Sequence, residues 1–240
     1  MLTDLSIENI LFFDIETVPL QSEFKALDPV LQELWDKKSA YFRTMEQTPA
    51  DVYQRAGIYA EFGKIVCISA GIVFTKEGER FFKLKSFYGH NEKQLLLDFG
   101  QLLLSFCANP RNKLCGHNIK EFDIPFVARR MIINCIPLPP VLHIAGKKPW
   151  EVQFIDTLEL WKFGDYKHYT SLKLLTHILD IPSPKDDIDG SQVGDVYYVQ
   201  NDIERIAVYC EKDVFATAQL LLRLKGEGLI NQKNTVRATN

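Results

Sequence analysis

Asn9-Ile-Leu-Phe-Phe-Asp-Ile-Glu16 is a short apolar run that stops at two carboxylates. Consecutive large apolar residues with no polar face fit a strand buried on both sides, at the centre of a sheet covered by helices. On such a strand residues i and i+2 share a face, so Asp14 and Glu16 project together from its end. Like charges placed there repel and are costly to desolvate unless a cation or another partner compensates. Hard oxygen donors in this arrangement suit Mg2+ or Mn2+ rather than zinc. A strand running out into a solvated turn would carry the same residues, and Asp-x-Glu alone does not choose between the two.

The rest of the chain supplies a sheet and its cover. Residues 21–60 form a helical insertion, because Phe24, Leu27, Leu31, Leu34 and Trp35 recur at helical spacing among charged residues. Lys64–Phe74 and Arg80–Tyr88 read as an antiparallel hairpin turning at Lys76-Glu-Gly-Glu79. A helix follows from the cap Asn91 to about Cys107, with Leu95, Leu96, Phe99, Leu102, Leu103 and Phe106 inward. Lys113–His117 is a short strand and Phe122–Asn134 a helix; the proline-rich segment 135–149 is irregular, and Val152–Ile155 is a further strand. Ser171–Leu179 and Asp202–Lys225 are helices, with a polar loop, Pro182–Gln192, between them, and 226–240 reads as a frayed tail. This order predicts one α/β domain over residues 1–240, with a mixed five-stranded sheet flanked by helices.

Composition excludes several classes. With 240 residues, 46% hydrophobic and 25% charged, the chain has ample core for a globular fold. A net charge of −3 argues against a protein that coats nucleic acid by bulk charge, but leaves room for a local basic face. The apolar stretch Met131–Gly146 is broken by prolines and too short to span a bilayer, and the N-terminus has no secretory pattern. The 5 cysteines contain no Cys-x-x-Cys and read as reduced thiols of a cytoplasmic protein. Cys115 and His117 are followed by no second Cys/His pair at ligand spacing, so zinc is not expected.

Two more groups carry chemistry. In Gly116-His-Asn118-Ile-Lys-Glu-Phe122-Asp123 a strand ends at Asn118 and Asp123 opens a helix, where a carboxylate is favoured electrostatically. In Tyr209-Cys-Glu-Lys-Asp213 the tyrosine and aspartate lie on one helical face, at the edge of the stripe Ile203, Ile206, Cys210, Val214, Ala218 and Leu221. Each taken singly also fits an ordinary turn, helix start or solvated charge.

Together and in this order, Asp14 and Glu16, then Asn118, Phe122 and Asp123, then Tyr209 and Asp213 resemble the DEDD superfamily of 3′–5′ exonucleases in its tyrosine-bearing subgroup. The histidine subgroup has a His five residues before its last Asp, where this chain has Val208. The likeness is strongest to the proofreading exonuclease domain of family B DNA polymerases and the stand-alone exonucleases related to it. It extends to Ala60–Ser69, Phe154-Ile-Asp-Thr-Leu158 and Thr170-Ser-Leu-Lys173. The resemblance implies a ribonuclease H-like fold and two divalent cations, Mg2+ or Mn2+. It gives Asp14 the bridging position, Glu16 and Asp213 the water-activating site, Asp123 the second cation, and Tyr209 the orientation of the attacking water.

The expected partner is a single-stranded DNA 3′ end. Thr17, Asn118 and Phe122 are placed beside it, with Lys167 and Ser171 from the aromatic and basic segment Trp161–Lys173. Arg129-Arg130 and Lys147-Lys148 read as solvated charges. A ribonuclease D-like exoribonuclease acting on RNA uses the same chemistry, and an idle module that only binds nucleic-acid ends is a further alternative. A polymerase or repair partner, processivity and oligomeric state are left open.

Overall fold

The computed structural model describes residues 5–165, 169–182 and 188–238. A 6-stranded mixed sheet has the order β5-β4-β1-β2-β3-β6, with β1 (Ile10–Pro19), β2 (Gly63–Lys76), β3 (Glu79–Tyr88), β4 (Lys113–Gly116), β5 (Ile155–Asp156) and β6 (Thr235–Arg237). β1 is central, antiparallel to β2 and parallel to β4. The helices are α1 (Pro29–Ser39), α2 (Glu92–Phe106), α3 (Asp123–Ile133), α4 (Thr157–Lys162), α5 (Leu172–Ile178), α6 (Val193–Tyr198) and α7 (Ile203–Leu224). This is an α/β, ribonuclease H-like architecture.

The alternation of β1 builds both cores. Leu11, Phe13 and Ile15 pack with Leu96 and Phe99 of α2 and Ile124 and Val127 of α3. Ile10 and Phe12 face the other way, against Val214, Ala218 and Leu221 of α7. Both faces are therefore dry, which is why the run needs no polar residue before position 14. Asp14 and Glu16 continue the α7-facing set.

Three expectations need correction. The sheet has 6 strands rather than five, and the extra one comes from the segment expected to fray. Thr235–Arg237 lies parallel to Phe82–Leu84 of β3 and covers that edge. The chain is led back to it by buried Gln219, which donates to the Ile230 carbonyl (2.8 Å) and accepts from the Ile230 N–H (2.9 Å). Secondly, Arg130 is 5% exposed, not solvated. It donates to both oxygens of Glu92 (2.8 and 2.6 Å) and to the Ala60 carbonyl (2.8 Å), so the guanidinium ties α3 to α2 and to the insertion. Thirdly, the strand expected over Val152–Ile155 is only Ile155–Asp156, and is followed at once by α4.

The insertion folds over its own small core. Trp35, fully buried, packs edge-on to Tyr53 and Phe62 and donates its indole N–H to the Pro49 carbonyl (2.9 Å). Out of that core comes a 3-10 turn, Tyr53–Ile58, that lies along the C-terminal half of β1.

Candidate active site

Three elements deliver carboxylates to one place. The first is the end of β1, where pairing with β2 slips between Glu16 and Thr17: Glu16 is opposite Cys67, but Thr17 is opposite Ile65. Such a bulge re-aims side chains without ending the strand. Asp14 and Glu16 there lie with Cys210 of α7 so that one ligand atom from each falls within 4.8 Å of the others.

The second element is the start of α3. Strand β4 pairs with β1 only as far as Phe12, so the N–H of Ile15 has no strand partner on that side. Asp123 takes it, Oδ1 accepting at 3.2 Å, and the buried carboxylate is thereby fixed beside Asp14. The turn before α3 is set by Asn118, whose φ of 63° is left-handed and whose carbonyl accepts from the N–H groups of Glu121 and Phe122. Asp156 holds the same turn from β5, accepting from the N–H of Asn118 (2.9 Å) and Lys120 (3.1 Å) while also capping α4.

The third element is α7, capped by Asp202. It brings Tyr209 and Asp213 to the edge of its buried face, and the two side chains hydrogen-bond each other. Cys210 beside them donates its S–H to the Asp14 carbonyl (3.4 Å) and carboxylate (3.6 Å).

The electrostatics of the cluster are those of a cation-binding site. Burial first, then Asp123 and Asp213, hold the Asp14 carboxyl well above the usual carboxylate range. Burial, then Asp14 and Asp213, do the same to Glu16. Asp123 is pushed up to about 7, again chiefly by burial, against the relief of its backbone donors. Among the described residues no lysine or arginine is a leading influence on these three. Buried carboxylates crowded together without a cationic side chain fit a divalent cation with hard oxygen ligands. Burial also raises the Cys210 thiol well above its ordinary value, so it serves as an S–H donor to Asp14 rather than as a thiolate ligand. Tyr209 is pushed well above 10 by burial and by Asp213, Glu16 and Asp14.

A cavity of about 450 Å³ opens beside Glu16 and Thr17, with Phe122 on one side and Gln54, Arg55 and Ile58 of the insertion on another. Phe122 is half-buried, touching Phe126 (centroids 5.5 Å apart) while lining this space. The Thr17 hydroxyl is engaged, donating to the Gly57 carbonyl (2.7 Å). Ser171 caps α5, accepting from the Leu174 N–H (3.3 Å), which accounts for the serine without a ligand. Lys167 lies outside the described residues.

Several participants were not apparent from the sequence. Asp156 and Cys210 act through hydrogen bonds whose partners are remote in sequence, although a carboxylate directly before α4 was a signal for the first. His117 is not a metal ligand: it joins Thr157 (Nδ1, 2.9 Å) to the Thr170 carbonyl (Nε2, 3.0 Å), and burial lowers its pKa, leaving a neutral strut. Among the described residues no helix is long and apolar enough to cross a membrane.

The model of a family described as "Predicted 3'-5' exonuclease related to the exonuclease domain of PolB" matches residues 58–239. That span contains Asp123, Tyr209 and Asp213, while Asp14 and Glu16 precede it. No curated protein matches the chain. The matched span, about three quarters of the chain, places this protein in the family of predicted 3′–5′ exonucleases related to the exonuclease domain of PolB.

Proposed function

We propose that the protein removes nucleotides from the 3′ end of single-stranded DNA with the help of two divalent cations, Mg2+ or Mn2+. The observation that carries this reading is the convergence of Asp14, Glu16, Asp123 and Asp213 from β1, α3 and α7 into one cluster, with Glu16 and Asp123 buried and Asp14 and Asp213 half-buried. When bound, the cations would neutralise the scissile phosphate, acidify a water and stabilise the leaving 3′ oxygen. Asp14, Glu16 and Asp213 would hold one of them, and Asp14 with Asp123 the other. Tyr209 keeps its proton at neutral pH, because burial, and then its carboxylate neighbours, raise its pKa. It therefore acts as a positioning hydroxyl for the attacking water, not as a base. Cys210 restrains Asp14, and Asp156 restrains the turn that carries Asp123. DNA is preferred over RNA because of the kinship with a DNA polymerase exonuclease domain.

The test is a 5′-labelled single-stranded oligonucleotide, in matched DNA and RNA forms, with Mg2+, Mn2+ or EDTA. Stepwise shortening of the DNA from its 3′ end with either metal, none in EDTA and none with Asp14→Ala is the expected result. Faster loss of the RNA would move the assignment to a ribonuclease D-like enzyme. Tight end binding without shortening would make the protein an end-binding module instead.

A further inference from the structure

The 3-10 turn Tyr53–Ile58 is the insertion's contribution to the cavity beside Glu16. It is anchored as a rigid wall. A Cβ on Gly57 would lie 3.3 Å from Pro19 Cδ and from the Val18 backbone, so the missing side chain lets the turn press onto β1. The Thr17 hydroxyl locks that contact by donating to the Gly57 carbonyl. Behind it Tyr53 is 2% exposed, and its hydroxyl accepts from the Gln21 N–H (3.2 Å).

The side chains this wall offers to the cavity are not needed for its own packing. Ile58 is 52% exposed although it borders the same space as half-buried Phe122. The Gln54 carboxamide reaches towards α6, its Oε1 standing 3.1 Å from where a Cβ on Gly194 would be. Arg55 borders the same cavity, its guanidinium 4.2 Å over the ring of Phe42. The cavity thus brings together apolar Ile58 and Phe122, the Gln54 amide with its donor and acceptor sides, and the Glu16 carboxylate. Its volume is in the range that takes a nucleoside-sized ligand. Such a lining suits a flat apolar group with a polar edge.

We propose that the turn Tyr53–Ile58 is the second jaw of a slot for the 3′-terminal nucleobase, with Ile58 and Phe122 against its ring and the Gln54 amide on its edge. The inference rests on the exonuclease reading of the carboxylate cluster and adds to it a specificity element. Residues 53–57 lie ahead of the segment matched by the family model, so nothing in that match assigns them.

The test separates the slot from the chemistry. Binding of the four deoxynucleoside 5′-monophosphates and of 2-deoxyribose 5-phosphate to the full chain is measured by calorimetry in Mg2+, for wild type, Ile58→Ala and Gln54→Ala. Both substituted residues are exposed, and equal melting temperatures check that the variants fold. The monophosphates should bind more tightly than the base-free sugar phosphate. Each substitution should weaken them roughly five-fold or more, the scale of losing one base contact, while leaving the sugar phosphate unchanged. Equal affinity for all five probes, no monophosphate binding up to millimolar concentration, or variants that bind as wild type would overturn the slot even if wild type degrades DNA. Conversely, base-dependent binding lost in the variants, without any strand degradation, would keep the slot and remove the exonuclease reading.

Discussion

Replacing Asp123 by Asn should make the metal-free protein more stable at pH 8 while abolishing its activity. In the folded chain this carboxyl ionises near pH 7, against 3.8 for an unhindered aspartate, chiefly because it is buried. A raised acid binds more protons folded than unfolded between those two values. Its contribution to stability is therefore intact below about pH 4 and is lost as pH rises through 7. At 1.36 kcal/mol per pH unit, the loss reaches about 4 kcal/mol as an upper bound once both states are ionised. Asparagine keeps an oxygen for the Ile15 N–H and has no proton to lose. Even half the bound, about 2 kcal/mol, is worth about 4–8 °C in melting temperature for a chain of this length. The assay is thermal unfolding in EDTA from pH 5 to 8.5 for both proteins, repeated with Mn2+. The variant should already exceed wild type at pH 5, pull further ahead up to about pH 7 where the difference levels off, and gain less from Mn2+ at pH 8. If the variant melts below wild type at pH 8 in EDTA, or if the difference does not grow with pH, the buried-charge account of the cluster is wrong.

Other outcomes follow from the same geometry. Tyr209→Phe should lower kcat by up to about 10²-fold with unchanged Mn2+ affinity, and the wild-type pH–rate profile should show no tyrosine limb below pH 10; a limb near pH 8–9 that the substitution removes would make Tyr209 a base. Glu92→Ala strands buried Arg130 and should cost about 3–5 kcal/mol, read by denaturant unfolding; a loss under 1 kcal/mol would mean water reaches the guanidinium. Gly63→Ala places a Cβ 2.8 Å from the Gly57 carbonyl and should shift the turn that walls the cavity, lowering stability by about 1–3 kcal/mol and weakening monophosphate binding; unchanged binding would disconnect that turn from the ligand.

Local patterns in the chain determined the elements and most of the carboxylate cluster. The apolar run before Asp14 demanded a strand covered on both faces, and period-2 geometry put Glu16 on the same side. Helical spacing put Tyr209 and Asp213 on one face, and Asn91, Ser171 and Asp202 marked helix starts through short-range side-chain caps. These signals hold because each depends on neighbours within a turn or two of chain.

The tertiary structure decided what depends on groups far apart in sequence. Only it shows that Asp123 occupies the N–H of Ile15, 108 residues away, because β4 stops short of that position. Only it places Arg130 inside, bound by Glu92 and Ala60, where the sequence shows merely one of two adjacent arginines. The sixth strand, three residues long, carries almost no pattern of its own and exists because β3 offers an open edge. The insertion likewise read as helical, yet its use as a wall beside Glu16 follows from a glycine contact with β1 that no periodicity encodes. Residue types could name hard oxygen ligands, but burial and mutual repulsion, which make the cluster need a cation, arise only once the folded chain has removed the water between them.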